Sequence, residues 1–178
     1  MQNIIRSLLK PALITFVVLL VLTMVLALLP MPDFPRHEAR DLPWTLPDYT
    51  KAVHQVEVLP NGQLHIEIEH LPLTDIEPKM VSFFYNVLPI STVELNGIHM
   101  PLYHIFHPTE HGYIEVKEAA ASGKAGMTVG AIVERKEWFG EYNSKGAGRI
   151  SEMTDNLMVA KAEMFGLNFG QIVHHFNK

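Results

Sequence analysis

Nine residues, Tyr103-His104-Ile105-Phe106-His107-Pro108-Thr109-Glu110-His111, bring three histidines, a carboxylate and two aromatic rings together. Neutral imidazole is a common metal ligand and also exchanges protons near neutral pH, so the stretch could serve metal binding or acid–base work. Apolar and polar residues alternate up to His107, and Pro108 then interrupts the backbone. The pattern predicts an extended segment that leaves a sheet near His107, with a divalent metal held by His107 or His111. Ten histidines in 178 residues also cluster in part by chance. Two ligands do not make a site, so further ones must come from elsewhere in the chain.

With no cysteine, thiolate ligands and disulfides are excluded, and a metal would be held through nitrogen and oxygen. The net charge of -5, with no run rich in Lys or Arg, excludes nucleic acid as a partner.

The elements that would position these residues begin after an N-terminal appendage. Residues 1–10 carry Arg6 and Lys10, and Pro11 to Leu29 has no charge. At ~1.5 Å per residue that run spans roughly 28 Å, close to a bilayer's hydrocarbon thickness. It is longer than the apolar part of a signal peptide and is followed by no small-residue cleavage site, so an uncleaved signal anchor over 11–29 is expected. The early positive charges put residues 1–10 in the cytoplasm. The remainder then lies on the extracytoplasmic side, in a bacterium the periplasm, as a single-pass membrane protein. Prolines 30, 32, 35, 43 and 47 predict a semi-rigid spacer over 30–49, ahead of a domain over 50–178.

Within that domain, Val56 and Val58 precede Pro60-Asn61-Gly62, and Leu64, Ile66 and Ile68 alternate with His65, Glu67 and Glu69, which predicts a hairpin. Thr74 and Glu77 have capping-box spacing, predicting a helix from about Asp75 to Val87 that packs Met80, Phe83, Phe84 and Val87 on a sheet. A turn at Asn96-Gly97 and strands around Ile114 and Val116, Met127 to Trp138, Arg149 to Asp155, Met158 to Phe165 and Leu167 to Phe176 follow. Ala119 to Gly126 reads as a loop. Glu134 shares a face with Ile132, and a carboxylate turned inward there needs a cation or a donor. The pattern still runs as a strand at His174-His175-Phe176, so a domain incomplete at its C-terminus is expected.

This order, with Phe83-Phe84-Tyr85, the aromatic-His-Pro-x-x-His segment Phe106 to His111, Glu134 and His174-His175-Phe176, resembles the diacetylphloroglucinol hydrolase family from about Val56 onward. The resemblance implies an α+β fold of Bet v 1-like, helix-grip type, a curved antiparallel sheet around an apolar pocket with zinc at its mouth. It also implies hydrolysis of a carbon–carbon bond between an acyl group and a phenolic ring. Carried over by position, the zinc ligands are His107 and Glu134, with Glu137 competing for the second role. The family's later His-x-x-x-Glu pair is absent here, and Phe106 and Phe83-Phe84 stand where the family tends to have Trp. Zinc would polarise the carbonyl and activate water, while His111, His174 or Tyr103 would donate a proton or hold a phenolic oxygen.

Two functions are therefore expected in alternative. One is a zinc-dependent hydrolase of an acylated phenolic or related ketonic substrate, impaired by the missing ligands. The other is a non-catalytic, membrane-tethered module that binds a lipid or aromatic ligand in an apolar pocket. The expected partners are a small aromatic or ketonic molecule and the lipid bilayer through residues 11–29, and a homodimer is left open.

Overall fold

The computed structural model describes residues 2–28, 34–164 and 167–177, with side chains of the first helix described over residues 10–25. Pro30, Pro32 and Phe165, which entered the expectations above, lie outside the described residues. The chain divides into two units, Met1–Phe34 and Pro35–Lys178.

The first unit contains helix α1 (Gln2–Leu28), with Pro11 inside it. Among the described residues no helix is long and apolar enough to cross a membrane. This corrects the transmembrane signal anchor over 11–29 and, with it, the single-pass extracytoplasmic location.

The second unit is α+β, and its strand pairs are antiparallel. Strands β1 (Val53–Val58) and β2 (Leu64–Glu69) form the hairpin that the Asn-Gly signal predicts, with Val56 opposite Ile66 and Val58 opposite Leu64. Val56, Val58, Leu64, Ile66 and Ile68 share one face, and every residue of both strands is exposed. Helix α2 (Pro78–Val87) begins three residues later than expected, because Glu77 occupies the N-cap without a side-chain bond and Asp75 has φ 61. The capping box does not form. Proline at the first helical position starts the helix instead. The packed face also differs from the expected one: Tyr85 and Leu88 are buried, whereas Met80 and Phe83 are 47% and 67% exposed.

A second hairpin pairs β3 (Thr92–Leu95) with β4 (Ile98–Pro101) through Asn96 and Gly97, both at positive φ as a tight hairpin turn demands. One helical turn, α3 (Tyr103–Phe106), follows. The five-stranded sheet then runs in chain order through β5 (His111–Glu118), β6 (Ile132–Phe139), β7 (Tyr142–Met153), β8 (Leu157–Met164) and β9 (Leu167–His175). Met127 to Ala131, expected as strand, are loop. There the backbone N–H of Met127 and the side chain of Asn86 tie the loop to α2.

Tyr85 of α2, Leu88 at its C-cap, Tyr103 of α3, and Val133, Ile150, Met158 and Phe176 pack into one core on the inner face of this sheet. Burying such side chains stabilises each by about 1.5–3 kcal/mol, which fixes the side on which α2 lies.

Candidate functional site

The histidine stretch is not one extended segment. Tyr103 to Phe106 form a helical turn, His107 returns to extended backbone, and His111 opens β5. Leu102 N–H donates to Ser91 O at 2.9 Å, Ile105 N–H to Leu102 O at 3.1 Å and His111 N–H to His107 O at 3.3 Å. A compact turn built in this way brings residues eight apart, Tyr103 and His111, into ring stacking, with centroids 3.8 Å apart and planes 9° from parallel.

A bulge sets the face to which His111 turns. His111 pairs with Glu137 and Tyr113 with Lys136, so Gly112 is one residue extra on β5. A Cβ at Gly112 would lie 2.8 Å from the Lys136 carbonyl oxygen and 3.0 Å from the Trp138 ring, so glycine permits this close approach. His111 thus faces inward beside Glu137, and Tyr113 faces outward with Lys136 and Glu134.

On the inner face the Tyr103 hydroxyl donates to Glu137 Oε1, Arg135 Nε lies 3.2 Å from Glu137 Oε2, and His111 Nε2 is 3.6 Å from Glu137 Oε1. Tyr103, His111 and Glu137 are all buried. Arg135 and the Tyr103 hydroxyl satisfy a carboxylate that would otherwise be costly to bury. His111 Nδ1 donates to Tyr103 O at 2.9 Å, because a carbonyl can only accept. Burial pushes the His111 imidazole down to about 4, outweighing its hydrogen bond to the Tyr103 carbonyl, while burial and then Glu137 push the Tyr103 hydroxyl far above its ordinary range.

From this cluster an array of rings extends across the inner face. Phe106 lies 6.0 Å from His111 and 5.8 Å from His107, and His107 lies 4.9 Å from His111. Phe106 also meets Tyr85 at 5.8 Å and Phe84 at 6.4 Å, and Tyr85 meets His174 at 4.9 Å and Phe176 at 5.4 Å. The Tyr85 hydroxyl is 3.4 Å from His174 Nδ1, and burial pushes that hydroxyl up to about 12. Burial, then His70, lowers the His174 imidazole. Phe106 is 42% exposed and His107 is exposed, so the middle of this wall is open.

Tyr103 and His111 are therefore in direct contact, and His174 joins them through Tyr85 and Phe106. His107 and Glu134 are not brought together. His107 Nδ1 is 3.6 Å from Glu110, whereas Glu134, on the outer face, lies 3.2 Å from Lys145 Nζ and accepts from the Tyr113 hydroxyl at 3.1 Å. Burial would raise the Glu134 carboxyl, but its bonds from Lys145 and Tyr113 prevail and hold it below the ordinary value. Among the described residues no group of three or more His, Asp or Glu could hold a metal ion, and the expected zinc centre is corrected on that finding. Glu134 and Glu137 stand three apart on a strand and so face opposite ways, which assigns the carboxylate beside His111 to Glu137.

Arg135, Tyr85 and Phe176 escape a search for ligands. The one signal available for Arg135 is its place two residues before Glu137 on the same strand face. A surface hollow at the start of α2, lined by Glu77, Pro78, Lys79, Asp155, Asn156 and Asn177, includes none of the candidate residues.

No protein-family model, curated protein or solved structure matches this chain.

Proposed function

We propose that the second unit is a non-catalytic binding module for a small aromatic or ketonic molecule, laid against Phe106 with its polar end at His107 and His111. The observation that carries this reading is the partly open wall of Phe84, Phe106, Tyr85 and His174 ending on a neutral imidazole. Aromatic faces supply sequence-independent contact area to a flat ligand, and a few polar groups fix its orientation. The proton-bearing groups support binding over turnover. A general acid or base works best with a pKa near the operating pH, while His111 is held at about 4 and Tyr103 far above its usual range.

Titration of the full chain with 4-hydroxyacetophenone, followed by calorimetry or by histidine ring NMR, tests the reading. Saturable binding is expected, weakened about tenfold by Phe106→Ala through loss of one aromatic contact. The meeting of Tyr103, His111 and Glu137 in one buried cluster favours a second reading, hydrolysis of the acyl–aryl bond. Release of acetate and phenol from the same probe would decide for that reading and against a passive module.

A further inference from the structure

The segment read as a proline-rich spacer lies, over Arg36 to Arg40, across the outer side of the second unit. Arg36 Nη1 donates to Gly140 O at 2.7 Å and Nη2 to Asn143 Oδ1 at 2.7 Å, clasping the β6–β7 turn, and its guanidinium lies 5.7 Å from the Trp138 ring centre. His37 stacks on His104 with centroids 4.0 Å apart and meets Trp138 edge-on at 5.1 Å. Arg40 N–H donates to Pro108 O at 2.9 Å, and Arg40 Nε donates to His104 Nδ1 at 3.3 Å. His104 Nε2 in turn donates to Gly112 O at 2.8 Å. The strap therefore grips the Pro108–His111 turn at its first carbonyl through Arg40 and at its last through His37, whose Nε2 bonds His111 O.

His111 is consequently held from both sides of the sheet. Its carbonyl is fixed by His37 on the outer side, and its ring is fixed by Tyr103 O and set beside Glu137 on the inner side. We propose that His37 is a positioning residue for the aromatic wall: by holding the His111 carbonyl it sets the orientation and tautomer of the His111 ring, and through them the affinity for the ligand. The affinity clause rests on the binding reading above, while the orientation clause does not. An imidazole in contact with a peptide carbonyl is fixed in one tautomer only while that geometry lasts. Loss of the outer bond lets the strand end shift and frees Nδ1 from Tyr103 O.

The test uses the full chain with isotopically labelled histidine, reading the ring nitrogen shifts of His111 alongside titration with 4-hydroxyacetophenone. His37→Phe keeps a ring on His104 but removes both ring nitrogens, the one at His111 O and the one at Glu38 O, and His37→Gln restores a donor near the Nε2 position alone. The wild type and His37→Gln are expected to show the Nδ1–H form of His111. His37→Phe should show a mixture with the Nε2–H form and bind the probe about tenfold more weakly. If His37→Phe fails to fold by circular dichroism, His37→Asn, whose shorter side chain cannot reach His111 O, takes its place with the same expected outcome. An unchanged Nδ1–H spectrum in the donor-less variant overturns the proposal, whether or not affinity changes. A shifted tautomer with no probe binding in any chain, wild type included, overturns the binding reading and leaves the positioning role standing.

Discussion

His111 shows how burial and bonding decide what a side chain can do. Its ordinary value is 6.5, and burial holds it at about 4 in the folded chain, so between these values the unfolded chain carries the extra proton. Stability then rises with pH across that window and is lost as pH falls from 6.5 toward 4. The loss is at most about 3 kcal/mol, the full displacement from 6.5 to about 4. His104 and His174, both lowered by burial, add in the same direction. Denaturant midpoints at pH 7 and pH 4.5 for wild type and His111→Gln check this. The variant should show a shallower dependence, and parallel curves would refute the assignment to His111. The cluster of chemically capable residues was plain in the sequence, but its partner was not. Glu134 and Glu137 are equally acidic and lie on one strand, and only the strand's register tells which of them faces His111.

Among the elements, those with a strong local signal matched their expectation. Asn61-Gly62 and Asn96-Gly97 mark tight turns through backbone preferences that act within four residues, and both hairpins formed where those turns lie. The expectations that failed depended on distant contacts. Alternation over Tyr103 to His107 suggested a strand, yet the chain coils into α3 because Tyr103 gains a buried partner in Glu137, thirty-four residues on. Residues 127–131 alternate too, but are held as loop by Asn86 of α2. Gly126 makes that clasp feasible. Its φ is +84, and a Cβ there would run into the Asn86 carbonyl oxygen. Gly126→Ala should therefore destabilise the chain by about 2–4 kcal/mol through positive-φ strain and backbone displacement, read as a lowered denaturation midpoint. Gly123, also at positive φ but with open space around it, should lose only about 1 kcal/mol on the same change.

Across the second unit, structure is unevenly supported. The inner face of β6, β7 and β8 carries the core, whereas Val56, Val58, Leu64, Ile66 and Ile68 of the first hairpin are 55–71% exposed. A two-stranded hairpin without a packed face is marginal in water, so it should open independently of the larger sheet. Amide hydrogen exchange by mass spectrometry should show β1 and β2 exchanging well before β6 to β8, and equal protection would contradict this description. The extra residue at Gly112 has a consequence for how the chain tolerates changes in length. Two adjacent strand residues point to opposite sides, so deleting Gly112 would still leave His111 inside and Tyr113 outside, at the loss of the carbonyl that His104 uses. Inserting one residue between Tyr113 and Val116 would instead transpose everything on one side of it, sending either the inner apolar row or the outer ionic row to the wrong side. The bulge is thus a point of slack in β5, where chain length can vary without exchanging interior for exterior.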